Sequence, residues 1–66
     1  MNEARSIVTT EEQAATIVEE LICRGFTAWR RGREIICQHD RIDQRSMWLR
    51  IGDLMGRVDE AGEVRS

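Results

Sequence analysis

Every basic side chain in this sequence is an arginine: ten in all, with no lysine, against twelve acids and one histidine. A guanidinium is a planar fork that fits carboxylates, phosphates and aromatic faces, and it does not lose its proton near neutrality. The densest group is Trp29-Arg30-Arg31-Gly32-Arg33, followed by Arg41, Arg45, Trp48 and Arg50. Arginines interleaved with an exposed aromatic suit phosphate contacts combined with base stacking. The same pair of residue types is enriched at the energetic centres of protein–protein interfaces. A purely structural role competes with both. It would bury Trp29 beneath a helix and pair the arginines with Glu11, Glu19 and Glu20.

Charge is unevenly distributed along the chain. Residues 1–23 hold one base against five acids, a net −4; residues 24–50 hold seven against three, a net +4; residues 51–66 hold two against four, a net −2. The total of −2 is not that of a typical nucleic-acid binder, yet the segregation implies opposed-sign surfaces or internal pairing. The four glutamates Glu11, Glu12, Glu19 and Glu20 are the candidates for an acidic contact face, including one that mimics nucleic acid.

Other catalytic or metal chemistry finds little support. A metal site can be drawn from Cys23, Cys37 and His39, with Asp40 as fourth ligand. Two of these fall on the expected core face, and no Cys-x-x-Cys or helical histidine pair accompanies them. The cysteines read instead as small buried hydrophobes, so neither metal nor cofactor is expected. Adjacent acids on a helix diverge by about 100° and do not converge on one point. The five glycines form neither a phosphate-binding loop nor a dinucleotide fingerprint. The expectation is a protein that is not an enzyme.

The elements that must position these residues begin with a helix opening at Thr9 or Thr10. Each threonine starts a capping box, Thr9 with Glu12 and Thr10 with Gln13. Ala14, Ile17, Val18, Leu21 and Ile22 recur at helical spacing. Arg24 and Gly25 then end the helix, and Phe26 falls where a Schellman ending sets its contact with Leu21. Residues 26–31 and 33–38 predict a hairpin turning at Arg31-Gly32, with Phe26, Ala28, Ile35 and Cys37 on one apolar face. A turn at Gly32-Arg33 is the alternative. Residues 39–46 form a polar connection, with Asp43 or Ser46 as helix cap. Met47, Trp48, Ile51, Leu54, Met55 and Val58 predict a second helix, against which stands a third strand at 46–51. Gly52 and Gly56 weaken that helix or allow close backbone approach. Ile7 and Val8 extend a short edge strand, and residues 1–4 and 62–66 fray.

The helix–glycine–phenylalanine–hairpin order over residues 10–38 resembles small toxin ribonucleases with a double-stranded-RNA-binding-like fold. Their Gly-Ser-His after the turn is here Gly32-Arg33-Glu34. The resemblance therefore implies a shared topology over that segment and speaks against their activity.

The fold class expected is thus α+β in one small domain, residues 1–66: an amphipathic helix packed on a β-hairpin, then a second helix. No apolar run approaches the roughly 18 residues a membrane span needs, and no secretory leader is evident, so a cytoplasmic setting is expected. The function expected is a non-enzymatic interaction protein that binds and regulates or inhibits a larger protein or ribonucleoprotein. Small inhibitors carried by phages and mobile elements, anti-CRISPR and anti-restriction proteins among them, share its size and charge pattern. The alternative is a DNA- or RNA-binding regulator using Arg30, Arg31, Arg33, Arg41 and Arg45. A chain this short also gains core by pairing as a homodimer.

Overall fold

The run Ile35-Ile36-Cys37 is apolar without alternation, and a strand of that kind needs cover on both faces. In the computed structural model, which describes the backbone of residues 1–65 and the side chains of residues 1–57, it lies in the central strand. The elements are β1 (Asn2–Ile7), α1 (Glu11–Cys23), β2 (Thr27–Arg31), β3 (Glu34–His39) and α2 (Gln44–Arg65). They form an α+β fold with a three-stranded antiparallel sheet in the order β1-β3-β2. Because β1 and β2 both run antiparallel to β3, they are parallel to each other, and α1 carries the chain across between them. This is a split β–α–β unit closed by α2.

The observed order differs from a helix laid on a hairpin. The third strand precedes α1, and the 46–51 segment lies in the expected second helix, not in the strand that stood as its alternative. Residues 2–4 do not fray: Asn2, Glu3 and Ala4 pair with His39, Gln38 and Cys37, and Ala4 is fully buried. The fraying expected at 62–66 is not met through Arg65, where α2 continues; Ser66 lies outside the described residues, and Val58 outside those whose side chains are described. The helix followed by a hairpin over 10–38 is present, with a strand in front of it.

Helix α1 starts and stops as its residues dictate. The Thr10 hydroxyl accepts the Gln13 amide at 3.0 Å, and the Gln13 side-chain oxygen accepts the Thr9 amide at 3.0 Å. At the other end Gly25 donates to the Ile22 carbonyl and Phe26 to the Leu21 carbonyl, both at 3.0 Å. Gly25 holds φ at +91°. These are the two bonds of a Schellman ending.

The hairpin turns at Gly32-Arg33, not Arg31-Gly32. Arg31 pairs with Glu34, Trp29 with Ile36 and Thr27 with Gln38. Gly32 has φ +60° and no other residue in the turn has positive φ. That is the pattern of a type II′ turn, which wants glycine at its first central position.

Helix α2 begins at Asp43, whose carboxylate accepts the Ser46 amide at 2.7 Å. Both helices contact each other and cover one face of the sheet. Ala14, Ile17, Leu21, Phe26, Ile35, Cys37, Met47, Ile51 and Leu54 meet there in one core with Ala4 and Val8. A Cβ on Gly52 or Gly56 would meet nothing within 4 Å, so no close approach inside this chain requires those glycines.

Two substitutions separate packing from backbone geometry. Leu21→Ala should lower unfolding free energy by about 2–5 kcal/mol, the range for emptying a buried leucine site. Gly25→Ala meets no steric obstacle, so its cost should be the left-handed backbone alone, about 1–2 kcal/mol. Urea denaturation midpoints measure both; a neutral Gly25→Ala would show that the Schellman ending does not constrain this helix.

Candidate functional site

Side chains alternate across the sheet, so those not pointing at the helices form an outer face. Three rows cross it: Glu3–Gln38–Thr27, Arg5–Ile36–Trp29, and Ile7–Glu34–Arg31. Ile36 is only 1% exposed yet stands outside the helix-covered core. Its neighbours in the row, Arg5 and Trp29, flank it on either side. Trp29 remains 40% exposed and Ile7 68%. Among the described residues the result is a surface outside the helix-covered core, with an aromatic at one rim and an aliphatic residue at its centre.

Polar groups around this surface are largely self-satisfied on the β1 side. Glu3 accepts from Gln38 at 2.8 Å and from the Arg5 guanidinium at 3.0 Å. The Gln38 bond, then the Arg5 bond, holds the Glu3 carboxyl below its ordinary value of 4.5. On the β2 side Arg31 stands opposite Glu34 in the ladder, and among the described residues it makes no ion pair. With Glu3 and Glu34 against Arg5 and Arg31, the face is formally neutral.

The arginines singled out by sequence do not form one patch. Arg30 points to the helix side, 3.5 Å from Glu11 and 3.2 Å from the Gly32 carbonyl. Arg33 lies in the turn and donates to the Thr9 carbonyl at 3.5 Å. Arg41 and Arg45 lie beyond His39, at the opposite end of the sheet. The six residues of β3 separate the two groups, about 16 Å from first to last at the rise of an extended strand.

On α1, Glu11 is tied to Arg30 and Glu20 to Arg24 at 3.1 Å. Glu12 and Glu19 have no ion-pair partner among the described residues and lie one above the other, seven residues apart, on the exposed side. All these pairs are solvent-exposed and weak.

The metal-site residues diverge. Cys37 is buried, its thiol 3.6 Å from the Met47 sulfur, and burial pushes its pKa up. Cys23, expected in the core, is exposed at the end of α1, where the polar side of the helix turns. His39 packs edge-on against Phe26 at 5.1 Å. Its Nδ1 accepts the Arg41 and Ile42 amides at 3.0 and 3.2 Å, so that nitrogen shapes the loop into α2. Among the described residues no three His, Cys, Asp or Glu side chains are grouped to hold a metal ion.

Arg5, Ile7 and Ile36 belong to the outer face and were not among the residues singled out from sequence. The unbroken Ile35-Ile36-Cys37 run carried a signal for Ile36; of β1, which is mostly polar, only the Ile7 end was read from sequence, as part of a short edge strand. Compared with protein-family models, curated proteins and solved structures, the chain matches none.

Acid should act through two carboxyls. Glu3 is held low as described, and Asp43 lies below its ordinary 3.8, chiefly through the Ser46 amide. A carboxyl with lowered folded pKa stabilises above its unfolded value, and that contribution is lost as pH falls through the folded one. Unfolding followed by circular dichroism from neutral pH downwards should therefore show stability dropping below about pH 4.5. Glu3→Gln should flatten that limb, and an unaltered limb would remove Glu3 from the account.

Proposed function

We propose that this protein is a non-enzymatic interaction module that docks on a larger protein or ribonucleoprotein through the outer face of its sheet, and regulates or inhibits what it covers. One observation carries the reading: Trp29 stands 40% exposed beside a fully buried Ile36, with Arg5 across that isoleucine in the same row and Arg31 two residues along its own strand. Tryptophan and arginine around an aliphatic centre are the residue types that dominate interface energetics. A tryptophan held by a neighbour on a rigid sheet loses little freedom on binding. The neutral balance of the face suits a mixed protein surface better than a phosphate backbone. The unpaired Glu12 and Glu19 give α1 a second, acidic surface on the other layer.

Direct nucleic-acid binding is the second reading, favoured by Arg31, Arg41, Arg45 and Arg50, which make no ion pair among the described residues. Their division between two ends of the sheet gives it no continuous basic track, which a backbone-following binder uses.

Affinity purification from the native host, with and without nuclease, separates these. Capture should survive nuclease and weaken at least about thirtyfold with Trp29→Ala, the loss typical of an interface hot spot. Arg31→Glu should weaken it too. Capture abolished by nuclease, with binding to purified duplex or single strand that falls steeply with salt, would transfer the assignment to the second reading. Capture indifferent to both substitutions would end the proposal for this face.

A further inference from the structure

The two edges of the sheet are treated differently. In an antiparallel ladder, successive residues direct their backbone groups alternately to one neighbour and to the other. The two-residue turn makes Arg31 and Glu34 a hydrogen-bonded pair, so Thr27, Trp29 and Arg31 bond β3. Ile36 then bonds Trp29, which leaves Arg5 on β1 directed outward. The Trp48 indole meets it there, donating to the Arg5 carbonyl at 3.1 Å, while Asn2 donates across to the Ile42 carbonyl at 2.9 Å. Helix α2 thus guards the β1 edge. On β2 the outward residues are Ala28 and Arg30, and no hydrogen bond among the described residues reaches their backbone groups from that side. An unguarded edge is a template for another strand.

We propose that β2 is the interface of a symmetric dimer, in which β2 of a second copy adds antiparallel to it and makes one six-stranded sheet. The occupant is specified by self-complementarity. Centring the two-fold on Trp29 sets Ala28 of each copy against Arg30 of the other. Both are outward residues, so they exchange four backbone hydrogen bonds. Arg31 then stands opposite Thr27, and no arginine faces an arginine. Centring on Arg30 instead would oppose two guanidinium-bearing residues, and centring on Ala28 would leave Arg31 without a partner strand residue. Charge therefore selects the register as well as the partner. Trp29 and its counterpart become a non-hydrogen-bonded cross-strand pair, the type whose side chains approach most closely.

Helix α1 supports the same geometry. Glu11 reaches Arg30, which places that side of the helix along the β2 edge. Ala15, Val18 and Ile22 continue the same stripe at helical spacing, and Ile22 is 54% exposed. Two copies joined at β2 bring these two stripes toward each other across the two-fold, on the helix-covered side of the sheet.

The test is sedimentation equilibrium on the purified chain at concentrations reaching about 1 mM, with no other partner present. A monomer–dimer equilibrium is expected. Arg30→Pro removes an outward amide and no bond to β3, so it should raise the dissociation constant at least about tenfold while circular dichroism stays native. Leu49→Glu, on the exposed side of α2, should leave the equilibrium unchanged. In a Cys23→Ser background, Trp29→Cys should give a disulfide-linked dimer on mild oxidation, whereas Arg31→Cys should not. A chain that stays monomeric throughout overturns the proposal. So does a dimer that resists Arg30→Pro, or one that Leu49→Glu disperses. If Arg30→Pro does not fold, the two cysteine variants decide: cross-linking at 29 but not 31 supports this register, and any other pattern refutes it. Because no docking partner enters the measurement, its failure leaves the outer-face reading untouched.

Discussion

The fold depends on covering both sides of β3. Ile35 and Cys37 lie in the core that the two helices cover, but Ile36 on the other side is flanked in its row by Arg5 and Trp29. Among the described residues no further element covers that side. A tryptophan on one edge strand and the aliphatic stem of an arginine on the other are what remain. Long side chains cover apolar surface while keeping a polar end wet, so this arrangement satisfies the central isoleucine without a further element. It also fixes Trp29 at the surface. The residue beside Ile36 thus stays partly open to a partner, and the two roles are one consequence of the sheet's thinness.

Helix α1 was legible down to its caps, because its start and stop use local bonds between residues three to five apart. The hairpin was legible only in part. Turns at Arg31-Gly32 and Gly32-Arg33 differ by a two-residue shift in pairing, and such a shift keeps every side chain on the same face. The apolar alternation of Ala28, Ile35 and Cys37 is therefore satisfied equally by both registers. What separates them is backbone conformation. A turn at Arg31-Gly32 asks arginine to take positive φ or glycine to sit second, whereas a turn at Gly32-Arg33 needs only glycine first. The sign of one dihedral angle outweighed the neatness of the side-chain pattern.

Strand β1 was legible only at its Ile7 end, for the opposite reason. Asn2-Glu3-Ala4-Arg5-Ser6-Ile7 contains one fully buried residue, Ala4, and otherwise reads as a polar terminus. An edge strand needs little hydrophobicity of its own when its partner is strongly apolar, since the ladder supplies the bonds and the central strand supplies the burial. The unbroken apolar run in β3 did hold the corresponding information: a strand buried on both faces needs neighbours on both edges. Counting only one neighbour, β2, left half of its ladder unassigned.

The charge pattern shows how far block composition can be carried into space. Along the chain, the positive middle segment looks like one surface. In three dimensions the hairpin tip carries Arg31 and Arg33 to one end of β3, and the connection into α2 leaves Arg41 and Arg45 at the other. Between them the outer face is neutral, because β1 and β3 bring Glu3 and Glu34 in beside Arg5 and Arg31. Folding an antiparallel sheet interleaves segments that are distant in sequence, so charge blocks longer than a strand are broken up when the strands pair. What survives as a coherent surface is defined by one row, Arg5–Ile36–Trp29, whose members come from three separate strands and two different charge blocks. Recognition by this face would therefore rest on shape and apolar contact at Trp29 and Ile7, with the guanidinium groups supplying orientation.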